Sequence, residues 1–299
     1  MPWAFLQPLN MSPKLKAAGL TLLAVVLWGC GPIGTRYLVG SNHIGLPPVP
    51  FIALRYLLAS VCFVPMLWGE LRSWPRQELY LGAFCGLVGV LGYNLPNAMG
   101  SRTVSAGMVG LLNGAEPLII VLLLALQRRK LPSAWTVVAG GMGLAGIALL
   151  ALSAGPALGD AKGIALVLTG AFCWAAYCVI AAPLLQRRGP VAITAITVIV
   201  GTVPMLAAGL PGMPDMVMQM SLGQWEILSA LTFGTSVIAI VAWNAGSAGL
   251  GAEQSGWFLY MLPVVSAAGG TIVLGEPLTL TEFSGGGLIM LSVFLSQRA

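Results

Sequence analysis

Apolar runs of about 20 residues follow one another down this chain with only short polar links between them, and that succession leaves few folds open. At about 1.5 Å per residue, a helix of this length crosses a hydrocarbon core about 30 Å thick. Inside lipid every backbone N–H and C=O needs an internal partner, so the runs predict helices. We read spans at 15–39, 48–69, 78–100, 103–126, 132–153, 161–186, 190–210, 224–248, 252–274 and 279–297. The breaks carry turn chemistry, as in Leu46-Pro47-Pro48 and Pro211-Gly212-Met213-Pro214. Only 8% of the residues are charged, against roughly 25% in a soluble domain, so a water-soluble fold could not cover its own surface. The expectation is an all-α integral membrane protein of ten transmembrane helices.

Charge sets the topology. With the N-terminus inside, the inner segments hold Lys14, Lys16, Arg72, Arg76, Arg128, Arg129, Lys130, Arg187, Arg188 and Arg298, whereas the outer loops hold Arg102 and Lys162. Cytoplasmic loops carry such an excess, so both termini are expected in the cytoplasm and the net charge of +5 reads as topology rather than nucleic-acid binding. The first span is too long for a secretory h-region and no cleavage site follows it, so it is read as a retained helix, preceded by an interfacial segment 1–14.

The chain also repeats itself. An offset of 146 lays Trp28 on Trp174, Gly110 on Gly256, Pro117 on Pro263, and Gly140 and Gly141 on Gly286 and Gly287. Val64-Pro65-Met66-Leu67 recurs as Val203-Pro204-Met205-Leu206 at an offset of 139. Two units follow, 15–153 and 161–299, each of five helices. An odd number makes the second unit enter the membrane from the opposite side, and the charges agree: Arg128-Arg129-Lys130 corresponds to the acidic Leu274-Gly275-Glu276-Pro277. Inverted repeats are the architecture of many secondary transporters, whose halves rock around a site near the midplane. Gly82, Gly86, Gly140, Gly141, Gly286 and Gly287 are read as packing faces.

Polar groups at membrane depth are costly and mark cavities or partner helices. The fourth run offers Asn113-Gly114-Ala115-Glu116-Pro117. Asn113 and Glu116 share a helical face, and Pro117 frees a carbonyl one turn earlier. Glu116 reads either as a carboxylate that meets an ammonium or carries a proton, or as a structural acid. Arg55 is either its partner or a side chain snorkelling to the headgroups, and Arg36, nearer a helix end, is assigned to snorkelling. Trp174 and Tyr177 share a face near mid-membrane with Trp28 as repeat mate, fit for flat or cationic ligands or for plain core packing. Tyr93, Asn97 and Asn244 add polar candidates, each open to a structural reading as interhelical glue. Tyr260, at the repeat position of Gly114, completes the set, and Pro96, Pro117 and Pro263 are candidate gating kinks. Trp3, Trp68, Trp135, Trp225 and Trp257 are read as belt residues and Glu253 as solvated.

The chain holds no G-x-x-x-x-G-K-[ST] loop to cradle ATP. Its only histidine, His43, lies in an outer loop, which argues against a hydrolase triad or a His-ligated metal. The five cysteines, at 30, 62, 85, 173 and 178, read as small buried hydrophobes. No cofactor and no metal are expected, and one central carboxylate without a paired acid argues against an enzyme.

The sequence resembles the drug/metabolite transporter superfamily, EamA type. The marks are Leu27-Trp28-Gly29, Ala115-Glu116-Pro117-Leu118, Gly275-Glu276-Pro277-Leu278-Thr279 and Gly285-Gly286-Gly287. Within it, Gly170-Ala171-Phe172-Cys173-Trp174-Ala175-Ala176-Tyr177-Cys178 and Ala242-Trp243-Asn244 look like the bacterial aromatic amino acid exporters (YddG type). The resemblance implies ten helices in two inverted repeats, with the fifth and tenth at the periphery, and efflux of amino acids or flat cationic metabolites through a central cavity. Glu116 departs from those exporters, which resemble the chain more closely at Trp28, Trp174 and Tyr177. The expected function is a secondary exporter of amino acids in the inner membrane, with protons as candidate coupling ion and a monomer as the working unit. A sugar or nucleotide-sugar carrier is the alternative, since the same fold serves those ligands.

Overall fold

In a computed structural model, residues 12–70, 74–127, 129, 134–152, 160–276 and 279–296 are described. Among these the chain is helical throughout, without a strand. The order is α1 (Pro13–Val39), α2 (Pro48–Glu70), α3 (Arg76–Gly100), α4 (Ala106–Gln127), α5 (Ala134–Leu152), α6 (Ala161–Arg188), α7 (Pro190–Gln219), α8 (Leu222–Leu250), α9 (Gln254–Leu274) and α10 (Leu280–Ser296). Eight of the described helices are long and apolar enough to cross a membrane.

Helix starts follow from capping chemistry. Ser12, Ser105, Asp160 and Ser221 each accept a first-turn backbone N–H with a side-chain oxygen, and Gln224 closes a capping box on Ser221. Between α6 and α7 the link is one residue, Gly189, at φ 74°, a conformation that an L side chain rarely adopts.

The helices pair as two inverted halves require. The tightest partners are α2 with α7, α5 with α10, α4 with α9, α1 with α8 and α3 with α6. Exchanging the halves returns each of the first three pairs to itself and turns α1–α8 into α6–α3, so one pseudo-two-fold operation accounts for all five. The operation also relates the irregularities. α3 carries a π-helical segment at Gly86–Leu91 and its mate α8 carries one at Leu231–Ile238. α4 breaks between Asn113 and Glu116, and α9 carries a 3-10 turn at Trp257–Tyr260. Glu276 accepts the N–H of Ala106 at the start of α4 (2.9 Å), whereas Arg129 follows the end of α4, so the two lie at opposite ends of one helix.

Small residues set the closest approaches. A Cβ on Gly86 would stand 2.6 Å from the Thr197 carbonyl, and one on Gly201 2.6 Å from the Gly86 carbonyl, so α3 and α7 meet backbone to backbone. Gly140, Gly141 and Gly287 correct the expectation of a packing face: nothing stands within 4 Å of their Cβ positions. The α5–α10 contact runs instead through Gly143 and Gly146, which face Ser292 and Gly285. The cysteines are free; Cys85 and Cys178 are buried, while Cys30 is exposed, against expectation.

Arg36 is a second correction. It is buried, its Nε sits 3.0 Å from Glu276 Oε1, and it donates to the carbonyls of Ser101 (3.1 Å) and Arg102 (2.8 Å). It ties α1 to the α3–α4 and α9–α10 links. At the other end, Glu78 on α3 pairs with Arg188 (2.5 Å) and Arg187 (3.6 Å) on α6. Each end thus carries an ion pair joining the two halves. Segment 1–11, Lys130, and the side chains of Trp68, Trp257 and Glu253 lie outside the described residues. Trp135 is exposed.

Candidate functional site

A cavity opens among α1, α2, α3, α4, α6, α7, α8 and α9, leaving about 820 Å³ between its walls, open space at its mouth included. No described residue of α5 or α10 lines it. The structure brings Trp28, Tyr93, Asn97, Asn113, Glu116, Trp174 and Tyr177 together on this one surface.

The aromatic wall forms because helical spacing puts Trp174 and Tyr177 on one face of α6, and α1 presents Trp28 against it. The Trp28 and Trp174 rings meet edge to face at 5.0 Å, and Trp174 lies 5.5 Å from Tyr93 and 5.0 Å from Tyr177. Such pairs are worth about 0.5–1.5 kcal/mol beyond their area. Trp28 Nε1 donates to the Thr235 carbonyl at 2.9 Å. The π-helical segments shape the wall: Gly89 in the first gives room for the Tyr177 ring, and Thr235 and Ser236 in the second hold Trp28 and Arg55. Widened turns of this kind often mark functional sites.

The polar side of the cavity comes from the broken α4. Asn113 ends its first segment and Glu116 begins the second, so both sit at the interruption. Asn113 Nδ2 donates to the Tyr93 hydroxyl (3.2 Å), and Asn97 Nδ2 to the Tyr93 carbonyl (3.0 Å). Glu116 Oε1, Asn113 Oδ1 and Asn97 Oδ1 are buried without a hydrogen-bond partner among the described residues. Pro117 has no N–H to donate to the Asn113 carbonyl one turn earlier.

Arg55 corrects the snorkelling alternative. It is 7% exposed and lines the cavity, with Nε donating to Ser236 Oγ (2.9 Å) and Nη2 to Thr235 Oγ1. The Tyr56 ring lies 5.6 Å from its guanidinium carbon. No ion pair joins it to Glu116 among the described residues.

Asn244 is also corrected. It is fully buried behind the wall, accepting from the Tyr177 hydroxyl (3.1 Å) and donating to Thr194 Oγ1 (2.7 Å), and does not line the central cavity. It borders a second recess with Tyr177, Cys178, Gln186 and Gly251, toward the end that bears Arg187 and Arg188. Tyr177 lines both spaces, so its ring and Asn244 form a partition between them. The side chain of Tyr260 lies outside the described residues. Pro96 lines no interruption itself but follows the π segment of α3, while Pro117 and Pro263 flank the breaks of α4 and α9. Asn94, on the same helix as Tyr93 and Asn97, also lines the cavity; Tyr56 and Thr235 belong to it without a prior sequence reading, although a Thr-Ser pair in the middle of an apolar run was a visible signal.

Comparison with known proteins agrees with this architecture. The model of the EamA-like transporter family matches residues 15–152 and again 161–297. An uncharacterized transporter of Archaeoglobus fulgidus is 26% identical over 92% of this chain and 96% of its own length. A probable terminal-alkyne amino-acid exporter of Streptantibioticus cattleyicolor is 27% identical over 95% of this chain and 94% of its own. A probable amino-acid metabolite efflux pump of Salmonella typhimurium is 27% identical, covering 93% of each. A solved structure described only as a protein superposes with a TM-score of 0.63 at 20% identity, over 94% of this chain and 97% of that one, which speaks for the fold alone. This chain belongs to the EamA-like transporter family and is a multi-pass membrane transporter rather than an enzyme.

Proposed function

We propose that this transporter is a secondary active exporter of amino acids, working by alternating access across the partition at Tyr177. One observation carries the reading: a cavity walled by Trp28, Tyr93, Trp174 and Tyr177 holds buried acceptors that have no donor among the described residues. Such a surface fits a flat apolar group at one end and a hydrogen-bond donor at the other. Two relatives named as exporters of amino acids or their metabolites support the substrate class and the direction. Two recesses that share the Tyr177 ring support alternating access, since moving that ring joins one space to the other. Both termini are cytoplasmic in this reading, the chain acts as a monomer in the inner membrane, and Glu116 carries the coupling proton.

Counterflow in proteoliposomes containing the full chain tests this. Labelled amino acids should exchange, and an imposed pH gradient should accelerate net flux. Exchange of nucleotide sugars with none of amino acids overturns the substrate, and flux indifferent to the gradient overturns the coupling.

A further inference from the structure

We infer that the cavity is a two-pole receptor for a zwitterion: Arg55 takes a carboxylate, and the cluster of Glu116, Asn113 and Asn97 takes a primary ammonium. The inference rests on the amino-acid reading above and deepens it, because it assigns the backbone-derived ends of the substrate to separate residues.

The acceptor pole is defined by a mismatch. Glu116 Oε1, Asn113 Oδ1 and Asn97 Oδ1 have no donor among the described residues, although Glu116 and Asn113 are 1% and 3% exposed. Buried polar atoms are normally paired, so acceptors concentrated in one cavity call for a ligand rich in donors. A primary ammonium brings three N–H groups and no acceptor. The break in α4 adds to the fit. The Asn113 carbonyl lacks its helical donor because of Pro117. A sugar hydroxyl would match less well, since each brings acceptors of its own into a site that already has a surplus.

The donor pole shows the opposite imbalance. Thr235 and Ser236 take two of the five N–H groups of Arg55 and fix the guanidinium, and no carboxylate of the described residues pairs with it. The remaining fork matches a carboxylate, which it can hold through two parallel bonds. The poles line the same cavity, no ion pair among the described residues joins them, and the aromatic wall lies in the same space. A ligand with both charges satisfies both. An amine leaves Arg55 without a counter-charge, and a simple carboxylic acid leaves the acceptors bare and sets its charge against Glu116.

The test uses the full chain in proteoliposomes, with phenylalanine and leucine counterflow challenged by analogues that lack one end. For phenylalanine these are phenethylamine and 3-phenylpropionate; for leucine, 3-methylbutylamine and 4-methylpentanoate. Each analogue should compete about 10- to 100-fold more weakly than its parent. Arg55→Gln should narrow the gap for the amines and leave that for the acids, and Arg55→Lys should restore part of it. Glu116→Gln should narrow the gap for the acids only. Amines that compete as well as the amino acids in the unmodified protein overturn the Arg55 pole, and acids that do so overturn the ammonium pole. Either result leaves amino-acid export standing. Absence of exchange for both amino acids overturns the preceding reading and this one with it.

Discussion

The two halves share a skeleton and differ in chemistry. The offset of 146 lays Glu116 on Leu262, Asn113 on Leu259 and Asn97 on Trp243, and the offset of 139 lays Arg55 on Thr194. Glu116 and Leu262 both line the cavity, so one fold position meets the same space once as a carboxyl and once as an apolar side chain. The first half supplies the ionisable groups; the second supplies Trp174, Tyr177 and the hydroxyls of Thr235 and Ser236 that hold Arg55. Symmetry therefore governs the backbone, down to the paired π segments and helix breaks, while the side chains that line the cavity break it. A symmetric site would present a ligand with two identical faces, which suits few metabolites.

The largest expected effect concerns what joins the halves. Glu276→Ala leaves the buried Arg36 without a counter-charge and should cost about 3–5 kcal/mol of stability in detergent. A loss below about 1 kcal/mol would reduce the Arg36–Glu276 contact to an ordinary surface bridge. Next comes the asymmetry itself. Glu116→Leu, which copies the mate residue, should slow counterflow about 10- to 100-fold at unchanged protein yield. An undiminished rate would detach the halves' chemical difference from transport. Within the second half, Tyr177→Phe removes the hydroxyl bond to Asn244 and should lower unfolding stability by about 1 kcal/mol, well below the cost at Glu276. The smallest effect separates two repeat mates. Gly140→Ala meets nothing and should gain about 0.5–1 kcal/mol, whereas Gly286→Ala runs into Leu111 and should not; equal changes would erase the difference in their packing.

Much of this was legible in the sequence because lipid allows few alternatives. The ten runs gave ten helices, and Trp28 with Trp174 and the paired Val-Pro-Met-Leu quartets located the repeat. Seven of the nine side chains proposed from the sequence to bind substrate meet in one cavity, since a shared face or a mid-membrane position is a local property. Depth behind the face is not. Asn244 carries the same signal as Asn97, yet it braces Tyr177 from behind. Arg36 near a helix end reads alike whether it meets headgroups or a carboxylate 240 positions away. Gly140 and Gly141 misled for a related reason: small residues permit close packing without requiring it, and the α5–α10 contact slid one turn along to Gly143 and Gly146.

The two widened turns, at Gly86–Leu91 and Leu231–Ile238, have a mechanical consequence. A regular helix is a stiff rod, and moving one of its side chains means moving the rod. A π turn stores one surplus residue, which can be handed along the helix while the hydrogen-bonded ladder re-forms behind it. Thr235 and Ser236 ride on such a turn, so the supports of Trp28 and Arg55 sit on the widened part of α8 rather than on a regular rod. Each half thereby carries one widened turn, in its third helix, beside the cavity.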